Sequence, residues 1–500
     1  MKRNMKIMSA LLLACLLIIP LLTACSDPEG GENETTAPVA VSDSAVIVEE
    51  TTADPFEGVN YNDTDFTFLA WKQNIVEYFG DDSKGDMIES AVFKRNSKVE
   101  SKLGVKLDFI EEAGNSSTFK DFVANANTNI NAGNHTYDAI ACYSRSASLF
   151  MVNGSLTNLY DVQYLDFEND WWPESLVKLN TIGEGLYFAS GDIASSLLYQ
   201  MMFLGINNDK AKEYSISGVQ ELALEGGWTL DKMFEIMTGV YVDKTGGVNP
   251  RDPGNTYGLY VIAHPVLDVF YLGAGLHYVD FDEEGQAVVS ADVGGDKSLD
   301  LRDRLKQAFW NGNEATGFFH TSSENYKFIS SGECLLYVLD GTRLQTYMRN
   351  ADYDYSILCA PKYNLDQEQY CTGVGFPHSM YCIPIDANDK NMSGAVIEML
   401  AREGYNEVTP VIFETSFKYR YSNGEGDARM FDIIRRGVVF DFGRTMFDQL
   451  GGDTSSPIRL WRNDVYQNAS LLTTLIKANS KNWSKALTET IASIKDKAAG

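Results

Sequence analysis

The stretch FTFLAW (66–71), followed by MIESAVFKRNSKVESKLG (87–104) and VKLDFI (105–110), decides the fold class. The first segment is a short apolar strand, and the second has the apolar spacing of an amphipathic helix. In the third segment apolar residues alternate on one face, as they do in a half-buried strand. Gly104 lies where a left-handed C-cap would end the helix. The stretch therefore predicts a β-α-β unit.

The chain beyond this unit keeps alternating between strand and helix patterns. LLYQMMFLGINND (197–209) is an uninterrupted apolar run, which is typical of a strand covered on both faces. A helix capped by Thr229 is predicted to run to the glycines at 246 and 247, and DFDEEGQAVVS (280–290) predicts a short acidic hairpin. Helices dominate from Asn406 onward. The predicted fold class is α/β, with mixed sheets flanked by helices.

Composition limits the kind of protein this can be. Hydrophobic residues make up 44% and aromatic residues 12% of the 500, which is ample for a packed core. The formal net charge is -28, and it becomes -31 without Lys2, Arg3 and Lys6 of the N-terminal segment. A surface this acidic repels phosphate backbones, so we expect no nucleic-acid partner.

The first 24 residues have the build of a secretory signal peptide, with a basic start and an apolar centre interrupted by Pro20. This centre is shorter than a membrane-spanning helix needs. The order LTAC (22–25) resembles a bacterial lipobox, in which the cysteine sulfur takes a diacylglyceryl group. We therefore expect Cys25 to be the lipidated first residue of the mature protein, with ordinary secretion after cleavage near Ala24 as the alternative. Two acyl chains would anchor the protein stably at the outer face of the cell membrane.

Residues 25–60 are rich in Ser, Thr, Glu, Asp, Gly and Pro and show no apolar periodicity. Such a segment buries too little to offset its chain entropy, so we expect a disordered tether. The body that follows has an odd number of cysteines and no CxxC pair, unlike a disulfide framework. Its cysteines are Cys142, Cys334, Cys359, Cys371 and Cys382. The ones in strand-like runs are expected to behave as small hydrophobic residues.

Motifs of the common enzyme and cofactor classes are absent from the sequence. The five histidines show no HExxH or other paired ligand spacing, and there is no GxSxG, P-loop or GxGxxG motif. We therefore expect no metal site and no cofactor. With 69 acidic residues, two facing carboxylates of a glycoside hydrolase remain an open alternative.

Several segments, in this order, resemble an extracellular solute-binding protein of an ABC importer, in the large sugar-binding branch close to family 1. They are VFKRNSKVESKLGVKL (92–107), YDAI (137–140), NGSLTNLYDV (153–162), WTLDKM (228–233), TYGLY (256–260), GECLLYVLD (332–340), ILCAPKYN (357–364) and GVVFDFG (437–443). The resemblance implies a type II periplasmic-binding-protein-like fold, with two lobes and a ligand cleft between them. Its lobes would comprise residues 60–193 with 357–405, and 194–356 with 406–500.

A sugar site needs aromatic faces for stacking and paired polar groups for hydroxyls. The resemblance and the positions of such residues after strands give eight candidates for ligand binding: Trp71, Tyr143, Arg145, Trp171, Trp172, Asp192, Asp340 and Arg343. Trp71 could instead be a core tryptophan, Arg145 could form an ion pair, and the tryptophan pair could serve only to pin a loop. Phe376 and His378, on the segment that returns to the first lobe, could also touch ligand, whereas Trp228 is expected in the core.

The resemblance implies a binding protein rather than an enzyme. It would act as a monomer that captures a carbohydrate, with an oligosaccharide favoured, by closure of its lobes and delivers it to an ABC membrane permease. The alternatives are a surface-anchored glycoside hydrolase and a carbohydrate-binding lipoprotein with no transport role.

Overall fold

The computed structural model describes residues 54–246, 254–262, 264–310, 316–318, 326–418 and 425–498. The signal peptide, Cys25 and most of the tether lie outside these residues. The strands are β1 (Thr64–Trp71), β2 (Val105–Glu112), β3 (Ala139–Tyr143), β4 (Met202–Asn207), β5 (Tyr257–Val261), β6 (Val279–Phe281), β7 (Ala287–Val289), β8 (Thr316–Phe318), β9 (Cys334–Asp340), β10 (Tyr355–Leu358) and β11 (Ser379–Cys382).

The helices cover both sheets. The α-helices are α1 (Ile75–Tyr78), α2 (Met87–Leu103), α3 (Phe119–Asn131), α4 (Ser144–Asn153), α5 (Glu174–Asn180), α6 (Ser195–Gln200), α7 (Asn208–Glu213), α8 (Val219–Leu224), α9 (Leu230–Met237), α10 (Asp268–Gly273), α11 (Asp296–Trp310), α12 (Gly341–Tyr347), α13 (Lys390–Glu403), α14 (Thr409–Ile412), α15 (Glu425–Arg436), α16 (Phe442–Thr445), α17 (Gly452–Ser455), α18 (Pro457–Tyr466) and α19 (Leu472–Ala498). Two π-helical segments, Gly404–Val408 and Phe413–Lys418, flank α14.

The predicted β-α-β unit is present. β1 and β2 pair in parallel over their full length, from Thr64 opposite Val105 to Trp71 opposite Glu112. Helix α2 starts where the Asp86 side chain accepts two backbone N–H groups, and it ends at Gly104 with φ of 62°. Glycine adopts this left-handed conformation without steric cost, which explains the stop.

The strands form two mixed sheets and one hairpin. The first sheet has the order β11-β3-β1-β2, with only β11 antiparallel to its neighbour. The second sheet has the order β10-β4-β9-β5-β8. The predicted acidic hairpin is confirmed as β6 and β7. An extended segment bridges to β11 through Ala189 and Tyr381 and runs antiparallel to it, so the chain reaches Asp192 at the same edge where β1 and β3 end.

Within the described residues, three segments carry the chain between the sheets. The first contains α6 and leads from Asp192 into β4. The second, residues 359–378, leads from β10 back to β11, and the third begins with the π-helical segment after α13. The predicted lobe boundaries remain a prediction. Since β10 pairs with β4, strand pairing places the change of sheet after Leu358, slightly later than the boundary drawn from the sequence.

Two sequence-based expectations for secondary structure are wrong. The apolar run 197–209 is not one strand, because its first residues belong to helix α6. The buried carboxylate of Glu77 accepts the backbone N–H of Ser196 at 2.7 Å, which satisfies a free donor at the start of this helix. The helix capped by Thr229 is also shorter than predicted, since α9 ends at Met237.

The C-terminal helices are joined to the second sheet's side by a buried ionic cluster. Asp268, at the start of α10, is fully buried and forms ion pairs with Arg444 and Arg462. Arg462 Nε lies 2.5 Å from Asp268 Oδ1, and Arg444 Nη2 donates to the carbonyl of Val374 at 2.6 Å. Burial lowers the pKa of Arg462 to about 10. One buried carboxylate therefore forms ion pairs with two buried guanidinium groups.

Candidate functional site

An open crevice of about 970 Å³ lies where the chain passes between the two sheets. Its walls come from residues 167–179, from Gly191 to Met201 in the first connecting segment, from Gln369 to Cys371 in the second, and from Tyr405 and residues 435–439. All three connecting segments contribute, so a ligand in this crevice would contact each of these crossings between the two sheets. Such a position between domains is a common one for small-molecule sites.

One wall of the crevice is aromatic. Trp171 is partly exposed, and its ring centroid lies 6.3 Å from that of Tyr405. Trp172 is 3% exposed and packs against Phe167 at 5.4 Å. Both indole N–H groups donate to Glu398, at 2.9 Å each. Trp171 therefore offers a flat face to the crevice, while Trp172 is mainly part of the core beneath it.

Asp192 supplies a polar group at the carboxyl edge of the first sheet. It is 6% exposed and accepts hydrogen bonds from Thr409 Oγ1 and Arg435 Nη2, each at 2.6 Å. Burial raises the pKa of Asp192, although the neighbouring Arg435 and Thr409 lower it. A Cβ on Gly404 would lie 2.3 Å from the carbonyl oxygen of Asp192, so this close approach of the π-helical segment requires glycine.

The charges that line the crevice are mostly paired within the protein. Arg435 is held by Asp192 and lies 5.0 Å from the ring centroid of Tyr405. Lys178 pairs with Glu174 across one turn of α5. Both acidic and basic side chains are therefore available without a strong local excess of one sign. An arrangement of paired charges beside an aromatic face suits a neutral ligand rich in hydroxyl groups.

Trp71 and Tyr143 lie at the carboxyl edge of the first sheet but outside the crevice wall. Their ring centroids are 5.4 Å apart, and both side chains are buried. Trp71 Nε1 donates to the Ser379 hydroxyl at 2.9 Å, and the same hydroxyl is 2.8 Å from the Tyr78 hydroxyl. The protein's own polar groups thus occupy the edge where the sequence suggested a ligand.

The remaining three candidates are also engaged by the protein itself. Arg145 forms a two-pronged ion pair with Asp448, at 2.8 and 2.7 Å, between the rings of Phe119 and Phe447. Asp340 is 2% exposed and caps α12, where it accepts the backbone N–H of Arg343 at 2.8 Å. The Arg343 guanidinium pairs with Asp340. The structure thus brings Trp171, Trp172 and Asp192 together and leaves the other five elsewhere. As ligand contacts, all eight remain predictions.

Phe376 and His378 line a separate, small cavity of about 20 Å³. His378 is buried, and burial lowers its pKa to about 4. Its Nδ1 lies 2.7 Å from the carbonyl oxygen of Gly375, and this hydrogen bond raises the pKa only in part against the effect of burial. The cavity has room for about one water molecule. Trp228 is fully buried, which confirms its predicted place in the core.

Sequence reasoning missed Tyr405, Tyr370, Arg435 and Glu398. The doubled arginine in IIRRG (433–437), directly before the quoted segment GVVFDFG, was a usable signal for a cationic group near the site. The sequence signal for Tyr405 was weaker: this residue follows Gly404 at the end of a predicted helix. Glu398 sits within an apolar helix pattern and gave no signal of its role.

The described residues contain no group of three or more His, Cys, Asp or Glu side chains placed to hold a metal ion. Within the same residues, no helix is both long and apolar enough to cross a membrane. The five described cysteines are free thiols, all buried except Cys371.

Comparison with known proteins defines the fold. No family model and no curated protein matches the chain by sequence. Solved structures do match, among them the maltose complex of an extracellular solute-binding protein from Staphylococcus aureus, with 12% identity, a TM-score of 0.54, and coverage of 87% of this chain and 97% of that one. The cyclic alpha-maltosyl-1,6-maltose binding protein from Arthrobacter globiformis matches with 10% identity, a TM-score of 0.54, and coverage of 85% and 100%.

A third similar structure is the galacto-N-biose-/lacto-N-biose I-binding protein of the ABC transporter from Bifidobacterium longum, in complex with lacto-N-biose. It has 11% identity, a TM-score of 0.52, and coverage of 87% of this chain and 97% of that one. These likenesses establish that the chain has the two-lobed, type II fold of periplasmic binding proteins, as the resemblance in the sequence predicted. Identities this low describe a shared fold alone.

Proposed function

We propose that this protein is a lipid-anchored extracellular solute-binding protein that captures a carbohydrate in the crevice and delivers it to an ABC permease. The observation that carries the proposal is the crevice itself, in which the face of Trp171 lies beside the paired groups Asp192 and Arg435. Three proteins of similar fold are described as binding maltose, cyclic alpha-maltosyl-1,6-maltose and lacto-N-biose, which supports a sugar as the ligand class.

The mechanism is reversible binding coupled to a change in lobe arrangement. A sugar ring would stack on Trp171, and its hydroxyls would exchange hydrogen bonds with Asp192 and Arg435. Because all three connecting segments line the crevice, a bound ligand would contact the parts of the chain that link the two sheets and that would change position when the lobes close. Only a ligand that binds the closed arrangement of the lobes more tightly than the open one can shift the conformational equilibrium toward closure. The reaction involves no covalent step.

Addition of a suitable sugar is expected to stabilise the full-length protein, purified in detergent, against heat. At 100 times its dissociation constant a ligand adds about 2.7 kcal/mol. Maltose, maltotetraose and lacto-N-biose are the first probes, with mannitol as a hydroxyl-rich control that has no ring. The ligand is then recovered and examined by chromatography. Intact ligand supports a binding protein, cleaved ligand would favour the glycoside hydrolase, and no stabilisation by any sugar would contradict the carbohydrate assignment.

Replacing Cys25 by serine is expected to move the protein from the membrane fraction to the culture medium or the soluble extract, because serine cannot take the thioether-linked lipid. Stable anchoring requires more than one acyl chain, and the proposed lipid supplies two. The measurement is the distribution of the protein between membrane and soluble fractions, with incorporation of labelled fatty acid as a second readout. A C25S protein that still fractionates with membranes and takes up label would disprove anchoring at this residue.

A further inference from the structure

The aromatic wall belongs to a short segment, residues 166–173, that is part of neither sheet. Four N–H donors of this segment converge on one carboxylate, that of Glu398 on α13. Glu398 Oε1 accepts from Trp171 Nε1 at 2.9 Å and from Asn169 Nδ2 at 3.0 Å. Glu398 Oε2 accepts from Trp172 Nε1 at 2.9 Å and from the backbone N–H of Asp166 at 3.2 Å.

The carboxylate of Glu398 and the four N–H donors satisfy each other's hydrogen-bonding requirements. Glu398 is 2% exposed, and within the described part of the chain no cation forms an ion pair with it. A buried carboxylate is costly unless its oxygens are hydrogen-bonded, and an ionised carboxylate is an acceptor only. Two donors on each oxygen meet that requirement. Conversely, each indole N–H needs an acceptor when it is buried, and this single group serves both tryptophans.

We propose that Glu398 is the positioning residue of the crevice: by accepting four hydrogen bonds from residues 166–172, its carboxylate fixes the Trp171 face in the crevice wall. Glu398 is not among the residues that line the crevice, so it would act through Trp171 and not by direct contact with a ligand. Its role in binding rests on the proposed function, whereas its hold on the two indoles does not.

The protonation state of Glu398 makes this arrangement sensitive to pH. Burial raises its pKa from 4.5 to about 7, against the four hydrogen bonds, which lower it. Since the folded pKa is the higher one, the contribution of this group to stability is complete below 4.5 and is lost as pH rises through 7. Acidification within that window therefore does not unfold the protein through this group. It does place an O–H on the carboxyl, which then cannot accept all four N–H donors.

No neighbouring charge offers a simpler explanation for titration at this position. The charged groups on the elements packed around Glu398 include Asp166, Glu168 and Asp170 in the segment, Lys390, Arg402 and Glu403 on α13, and Glu89, Lys94, Arg95, Lys98, Glu100 and Lys102 on α2. Lys98 pairs with Glu403 at 2.5 Å, and Arg402 pairs with Asp54 at 3.0 Å and with Glu403 at 3.2 Å. Lys98 and Arg402 are thus committed to other carboxylates, and Arg95 donates to the carbonyl of Glu77 and to the side chain of Asn96.

The experiment uses the full chain with ¹⁵N-labelled tryptophan, whose seven indole N–H groups give separate NMR signals. Trp171 and Trp172 are assigned from the variants W171F and W172F. In the unmodified protein both indole signals are expected to shift together between pH 5.5 and 8.5, with a midpoint near pH 7. In E398Q this titration is expected to disappear. The variant E403Q makes the same chemical change five residues further along α13, and it should leave the titration in place.

Indole signals that do not titrate in the unmodified protein, or that titrate equally in E398Q, would overturn the proposal. The first of these tests needs only the assignment variants W171F and W172F, so its outcome does not depend on whether E398Q folds. In the unmodified protein, affinity for the sugar that gives the largest thermal shift is expected to decline as the pH falls from 8 to 6. E398Q is expected to weaken this affinity about tenfold and to abolish its dependence on pH. If the indoles titrate but no sugar binds, the positioning role stands and the carbohydrate function fails.

Discussion

Replacing Asp268 by asparagine is expected to lower the free energy of unfolding by about 3–5 kcal/mol, because removal of one partner from a buried ionic group leaves the others uncompensated. In this protein the partners left behind are two guanidinium groups, those of Arg444 and Arg462, and both are buried. Asparagine keeps the size of the side chain, so the loss reflects charge and hydrogen bonding rather than a cavity. The same change loosens the C-terminal helices, which these arginines join to α10.

The measurement is unfolding by urea, followed by circular dichroism, with the variant D303N as the control. Asp303 pairs with the adjacent Arg302, and its side chain is 63% exposed. Exposed pairs of this kind contribute at most about 1 kcal/mol, so D303N should unfold at nearly the same urea concentration as the original protein. A D268N protein that is destabilised no more than D303N would show that the cluster is not electrostatically essential.

Replacing Trp171 by alanine is expected to weaken binding of the sugar ligand roughly 10- to 100-fold. Burial of a large apolar side chain contributes about 1.5–3 kcal/mol, and each 1.4 kcal/mol changes a dissociation constant tenfold. Trp171 supplies the partly exposed indole face of the crevice. Its loss removes stacking area without breaking either sheet. Isothermal titration calorimetry with the sugar found in the thermal screen gives the change directly.

The variant W71F decides between the crevice and the carboxyl edge of the first sheet. Trp71 is 4% exposed and donates to Ser379, so W71F should reduce stability but change the sugar affinity less than twofold. If W71F weakened binding as much as W171A, the ligand would bind at the sheet edge, and the crevice would not be the binding site.

The elements that local sequence determines were predicted correctly. The β-α-β unit follows from apolar spacing and from Gly104, both contained within residues 64–112. Helix α6 was mistaken for a strand because its stabilising partner, Glu77, is 119 residues away from Ser196. Apolar periodicity contains no information about such a distant hydrogen bond, and the short run 197–200 is compatible with either structure.

The candidate site shows the same limit. Trp171 and Trp172 attract attention as an adjacent aromatic pair, and Asp192 as a polar residue near a chain crossing, so a local pattern could find them. Arg145 also follows a strand, but Asp448, 303 residues further along, turns it inward. The sequence cannot show which distant group will neutralise a charged side chain, so it cannot separate a ligand contact from an internal ion pair.

The attachment of the aromatic segment has a consequence for how such proteins diverge. Residues 166–173 are outside both sheets, and one carboxylate on α13 holds their side-chain donors. Substitutions at its exposed and partly exposed positions, such as Trp171, alter the wall that a ligand meets while they leave the buried Trp172 and the packing of the sheets unchanged. Selection can therefore change what the protein recognises separately from how it folds. In this architecture a duplicated gene could acquire a new cargo through a few substitutions in one short, externally attached stretch.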